Sequence, residues 1–79
     1  MPLNTVRRLV AEGKPAFGTF VYSPDPAIVE LIGAAGFDFV IVDTEHASLG
    51  RRDVENLVRA ASGRGISAFV RVNRVEDVT

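Results

Sequence analysis

The chain has 79 residues, 47% hydrophobic and 24% charged, with nine Lys plus Arg against ten Asp plus Glu and a net charge of -1. It has no cysteine and one histidine, which excludes a disulfide framework, a thiolate metal site, a thiol nucleophile and a multi-histidine zinc centre. The balanced charge offers no basic field for nucleic acid or an anionic membrane, no apolar run approaches the ~20 residues of a membrane span, and Met1-Pro2-Leu3-Asn4 lacks a leader's charged and apolar regions, so the expected compartment is the cytoplasm.

Leu3 to Gly13 places Leu3, Val6, Leu9 and Val10 on one stripe, a short amphipathic helix that Asn4 can cap and Gly13 can end. Ala16 to Tyr22 is rich in aromatic and β-branched residues and closes on Ser23-Pro24-Asp25-Pro26, which reads as a strand and a turn. Asp25 then caps a helix with Pro26 at its first position, where a missing N–H costs nothing. Ile28, Leu31, Ile32 and Ala35 form its expected apolar stripe, and Gly36 ends it.

Phe39 to Val42 is apolar without alternation, so this second strand is expected to be buried on both faces, as strands of parallel sheets are. Thr44 to Gly50 is a polar connection, followed by a helix from Arg51 to Ser62 with Val54, Leu57, Val58 and Ala61 on one face. It stops at Gly63-Arg64-Gly65. Ser67 to Val72 reads as a third strand, and Asn73 to Thr79 as a polar turn leading to a helix that Asp77 would cap.

Strand, polar loop and helix therefore repeat, the grammar of α/β folds with right-handed crossovers. A chain of this size buries only about 60–65% of its unfolded surface. Three parallel strands need helices over both faces or closure into a barrel, and two or three helices cannot cover both. The expectation is an α/β chain made of the first three βα units of a (β/α)8 TIM barrel, with residues 1–79 the N-terminal third of one domain whose typical length is about 250 residues.

In such folds functional groups gather at the carboxyl ends of the strands. The second strand ends in Asp43-Thr44-Glu45-His46, and Arg71 stands near the end of the third. Asp43 and His46 are close enough for a carboxylate to orient an imidazole, while an arginine offers a planar fork of donors to a carboxylate or an enolate oxygen. Each has a plainer reading: Asp43 as a turn former or cap, Arg71 as its neutralising partner, Glu45 and His46 as solvated loop residues. Joint placement on adjacent strands favours the chemical one. There is no dinucleotide fingerprint, phosphate-binding loop or nucleophile elbow, and Arg7-Arg8 and Arg51-Arg52 read as solvated helix faces.

Gly18-Thr19-Phe20, Glu30 in the first crossover helix, Gly36 to Asp43 running into Thr44-Glu45-His46, and Val70-Arg71-Val72 together resemble the N-terminal portion of the HpcH/HpaI aldolase family. Members include 4-hydroxy-2-oxoheptanedioate aldolase and 2-dehydro-3-deoxyglucarate aldolase. The resemblance implies a homo-oligomeric barrel, a lyase that cleaves or forms a carbon–carbon bond between pyruvate, or a related 2-oxo acid, and an aldehyde. It implies a divalent ion, Mg²⁺ or Mn²⁺, as Lewis acid. Carried onto this chain, His46 matches the base acting on the aldol hydroxyl, Asp43 the supporting carboxylate, and Arg71 the arginine that binds the carbonyl oxygen and steadies the enolate. Phe20 replaces the tryptophan many members carry and keeps an apolar wall for substrate. Glu45 belongs to the motif on the substrate side.

The metal ligands that the resemblance implies, a glutamate and an aspartate on later strands, have no counterpart among these residues, so the 79-residue chain alone is expected to lack aldolase activity. Two rival readings are a non-enzymatic α/β module that pairs its sheet with another chain through Phe39–Val42 and Phe69–Val72, and a citrate lyase β-subunit type of acyl-CoA chemistry on the same barrel.

Overall fold

A computed structural model describes residues 5–72. Its elements run α1 (Thr5–Ala11), β1 (Gly18–Val21), α2 (Pro26–Ala34), β2 (Phe39–Asp43), α3 (Arg51–Gly63) and β3 (Ser67–Arg71). The strands form one sheet in the order β1-β2-β3, every pair parallel. Residues Asn4, Asn73 and Asp77, read from sequence as a cap, a turn and a second cap, lie outside the described residues.

Local chemistry sets most of the boundaries. Asp25 caps α2, its Oδ1 accepting from Ala27 N at 3.0 Å, with Pro26 in the first turn. At the start of α3, the Asp53 carboxylate reaches back to the Gly50 N–H at 2.9 Å. β1 is shorter than its composition suggests. Phe17 N donates to the Asp38 side chain at 3.0 Å and Asp38 N donates to Phe17 O at 2.7 Å, so a side-chain bridge takes over before the ladder begins at Gly18. Gly18 itself is required by close approach, because a Cβ there would clash with the Phe39 ring.

The core lies between the sheet and its helices: Val21, Val29, Val40, Val42, Leu57 and Ala61 are essentially inaccessible. Burial of each valine or leucine side chain stabilises by about 1.5–3 kcal/mol. Alternation along the ladder puts Val21, Val40 and Val42 on that helix-facing side. Phe20, Phe39, Ile41 and Phe69 occupy the other, with Phe39 and Phe69 meeting edge to face at 5.8 Å. α1 covers the amino-terminal rim, where Thr5 Oγ1 donates to Gly65 O at 2.7 Å and Val6 N to Ser67 Oγ at 3.2 Å.

Two burial expectations are corrected. The α2 stripe of Ile28, Leu31, Ile32 and Ala35 is rotated: Val29 is the buried residue and Leu31 is 66% exposed. Gly33 sets this rotation, since its Cα lies so close to α3 that a Cβ would come within 2.9 Å of the Arg64 Cβ, which turns Val29, Ile32 and Gly33 inward. β2 is also buried fully on one face only. Val40 and Val42 are covered by helices, whereas Phe39 and Ile41 are half-buried on a face with no helical layer among the described residues except α1 at its rim.

Candidate functional site

The ladder pairs Asp43 with Arg71, the last residues of β2 and β3, so both stand at the carboxyl rim of the sheet. Asp43 is fully buried although charged. Its burial is compensated by hydrogen bonds on both oxygens: Oδ1 accepts from Glu45 N at 2.9 Å, His46 N at 3.2 Å and Arg71 Nε at 3.3 Å. Oδ2 accepts from Arg71 Nη2 at 2.6 Å and lies 3.0 Å from His46 Nδ1. The two backbone bonds fold the loop after β2 into a tight turn, which carries the His46 ring back over the strand end.

The Arg71 guanidinium beside Asp43 holds that carboxyl well below the usual carboxylate range, against the opposing effect of burial, with help from the His46 ring and the backbone N–H groups of Glu45 and His46. Asp43 in turn raises Arg71 above its ordinary value. Arg71 is fixed from other sides as well. Its Nε lies 3.5 Å from Glu45 Oε1, and its Cζ sits 5.4 Å from the centre of the Phe20 ring, within cation–π range.

The five residues singled out from sequence, Phe20, Asp43, Glu45, His46 and Arg71, are thus brought into one constellation. The plainer reading of Arg71 as partner of Asp43 describes a real contact, and the same contact leaves the guanidinium aligned beside an imidazole. His46 Nδ1 is contested: Arg71 Nη2 donates to it at 2.8 Å, while Asp43 Oδ2 at 3.0 Å calls for a proton on the same atom. One nitrogen of a neutral ring cannot donate and accept at once, so the two contacts belong to different tautomers. The His46 side chain is 65% exposed and the Asp43 side chain 0%, so the ring is accessible while its anchor is not.

Two neighbours were not singled out from sequence. Tyr22, two residues beyond Phe20 and on the same face, stacks on it with ring centres 6.0 Å apart. Thr44 bonds to the Arg71 backbone. Strand alternation offers a signal for Tyr22, whereas the Thr44 contact follows from the register between β2 and β3, which sequence does not reveal.

Asp43, Glu45 and His46 present ligand-type atoms within 4.8 Å of one another. They do not fit a divalent cation. The guanidinium occupies the space between them, with Arg71 Nη2 2.6 Å from Asp43 Oδ2 and 2.8 Å from His46 Nδ1, and already takes up the Asp43 charge. Among the described residues no helix is long and apolar enough to cross a membrane.

Three parallel strands in sequential order, joined by α2 and α3 and with polar groups clustered at their carboxyl ends, have the pattern of a piece of a (β/α)8 barrel. The sequence pattern of the HpcH/HpaI aldolase/citrate lyase family matches residues 16–79, and the chain belongs to that family. It is 47% identical over 47 residues to a hydroxypyruvate/pyruvate aldolase of Paraburkholderia phytofirmans, a match covering 60% of this chain and 18% of that one. The fold is similar to the crystal structure of an HpcH/HpaI aldolase from Desulfitobacterium hafniense, with TM-score 0.85 and 33% identity, over 94% of this chain and 29% of the other. It is also similar to that of citrate synthase SbnG, with TM-score 0.81 and 37% identity, over 86% of this chain and 28% of the other. The chain thus spans less than a third of the length of each of these relatives.

Proposed function

We propose that these residues form the amino-terminal third of an aldolase barrel that makes or breaks the bond between a 2-oxo acid, pyruvate or a close relative, and an aldehyde. The observation that carries this reading is the Arg71 guanidinium, clamped by Asp43 and backed by Phe20 at the strand ends, in contact with an accessible imidazole.

In the cleavage direction His46 takes the proton of the 4-hydroxyl through a water. The bond between C3 and C4 breaks, the aldehyde departs, and the electron pair moves onto the C2 oxygen as an enolate. Arg71 donates to that oxygen. A preorganised donor aimed at a developing oxyanion is worth about 10²–10³ in rate. Protonation at C3 then releases the 2-oxo acid. Asp43 acts on both partners: it aligns Arg71 and, by accepting from Nδ1–H, leaves Nε2 of His46 free to receive a proton. A substrate oxygen that engages Nη2 draws that donor away from Nδ1 and favours the same tautomer. Phe20 forms an apolar wall, and Glu45 balances the cation beside the bound acid.

A divalent ion, Mg²⁺ or Mn²⁺, belongs to this reading of the full-length protein as the Lewis acid that polarises the 2-oxo acid, with ligands outside this chain. The cytoplasmic, oligomeric state of that protein is part of the same proposal. The test supplies Mn²⁺, pyruvate and a short aldehyde. We expect aldol product from the full-length protein, none above background from the 79-residue chain, and losses of about 10²-fold or more in His46→Ala and Arg71→Ala. Product from the short chain would show that the rest of the barrel is dispensable. Undiminished turnover in both variants would reject the roles given to His46 and Arg71, whereas no turnover from the full-length protein together with a stable stoichiometric complex would favour the rival in which the sheet pairs with another chain.

The likeness to a citrate synthase favours a second reading, in which the same arginine and histidine serve an enolate drawn from a different donor. Release of a free thiol from an acyl thioester, with no turnover of pyruvate, would select it.

A further inference from the structure

The Arg71 backbone is held as closely as its side chain. The Arg71 carbonyl lies where β3 ends, and it accepts from two groups of one residue: Thr44 N at 3.1 Å and Thr44 Oγ1 at 2.6 Å. Any residue but proline at position 44 would supply the N–H, which continues the ladder one step past Asp43. Only a hydroxyl adds the second, shorter bond. The consequence is local and directional. The guanidinium can meet Asp43, Glu45 and Phe20 together only if the Arg71 Cα is fixed, and the strand has no further described ladder partner beyond this point.

We propose that Thr44 is a positioning residue: its hydroxyl pins the Arg71 backbone and thereby aims the guanidinium at the oxygen it stabilises. Thr44 touches no reacting atom. Its effect passes through Arg71, and the catalytic part of the argument rests on the aldolase reading above. Misplacement of a catalytic donor by as little as 1 Å can cost about 10²-fold, so loss of one of two anchors is expected to cost less, about tenfold.

The experiment compares wild type, Thr44→Val and Thr44→Ser in the full-length protein. Valine keeps the shape and the backbone N–H but removes the hydroxyl, and serine restores it. Two readouts separate this proposal from the reading on which it rests. The first is the Arg71 Nε–H signal in proton–nitrogen NMR, which depends on the Asp43 and Glu45 contacts and not on any reaction. We expect it to be sharp in wild type and Thr44→Ser and broadened by exchange in Thr44→Val. The second is steady-state turnover of pyruvate with a short aldehyde and Mn²⁺. Here Thr44→Val should lower kcat/KM for pyruvate about tenfold with an unchanged KM for the aldehyde, and Thr44→Ser should stay within about twofold of wild type.

An unchanged Nε–H signal in Thr44→Val overturns the positioning role, as does a serine variant impaired as much as the valine one. A loss of turnover matched by a lowered Tm in Thr44→Val also overturns it, since that marks a merely structural contact. If wild type turns over no pyruvate while the signal still broadens in Thr44→Val, the aldolase reading falls and the positioning of Arg71 stands.

Discussion

Replacing Asp43 with asparagine separates the role of this residue in holding the turn from its role in aligning the site. The amide keeps one oxygen, which can remain where Oδ1 accepts from Glu45 N at 2.9 Å, His46 N at 3.2 Å and Arg71 Nε at 3.3 Å. The loop after β2 therefore survives. The other position becomes an NH₂ group facing Arg71 Nη2, formerly 2.6 Å from an anionic oxygen, and His46 Nδ1, formerly at 3.0 Å. Two donors now meet in place of the charge-assisted bond, and the amide offers its hydrogen to Nδ1. The imidazole is pushed to the tautomer with its proton on Nε2, the wrong one for a base acting through that atom. The same exchange of aspartate for asparagine behind a catalytic histidine lowers kcat about 10⁴-fold in a serine protease, and here the arginine is misaligned at the same time. A loss of at least about 10³-fold in kcat is thus expected in the full-length protein, with a circular dichroism spectrum like that of wild type. The assay is initial-rate aldol formation from pyruvate and a short aldehyde. A folded Asp43→Asn protein that retains more than about a tenth of wild-type kcat would refute the argument, because neither tautomer nor alignment would then matter.

Further predictions follow from the same contacts. Because Arg71 holds the Asp43 carboxyl below its ordinary 3.8, the folded state binds fewer protons there than the unfolded state. The stability this contributes is fully present above that value and is lost as pH falls through the folded one. Urea midpoints of wild type and Asp43→Asn should therefore converge on acidification, and parallel curves would contradict this. Arg71→Lys keeps the charge but loses the planar fork over Phe20, and should cost about 10²-fold or more in kcat, read in the same assay. Arg51→Ala removes only an exposed pair with Glu55 at 3.6 Å and should leave turnover unchanged. Gly18→Ala drives a methyl into the Phe39 ring and should destabilise by about 1–3 kcal/mol in chemical denaturation.

The parts of this fold that were legible in the sequence are those that local chemistry decides. Asp25-Pro26 marks the start of α2 because a carboxylate cap and a proline at the first turn serve only that position. The short β-branched run of β2, bounded by Gly36 and by Asp43-Thr44-Glu45, reads as a strand of a parallel sheet through its length and flanks. The face of α2 was not legible. Ile28, Val29, Leu31 and Ile32 make the helix apolar nearly all round, so periodicity selects no side, and the contact of Gly33 with Arg64 does.

The site divides in the same way. The residues from Asp43 to His46 stand together in the chain, and a short turn was bound to bring them near one another. The alignment of Arg71 depends on a register of β2 against β3 that places it opposite Asp43, and a slip of one residue would send it to the helix side. The contribution of Thr44 depends on that register too, whereas Tyr22 follows from alternation within its own strand, two residues beyond Phe20.

Stabilisation of an enolate oxygen is the central role proposed for Arg71. Exchange of the pyruvate methyl protons for deuterium, followed by proton NMR in D₂O with the full-length protein and Mn²⁺, tests that step without the aldehyde. Exchange should be rapid in wild type and fall by about 10²-fold or more in Arg71→Ala. Exchange at the wild-type rate in a folded Arg71→Ala protein would contradict it.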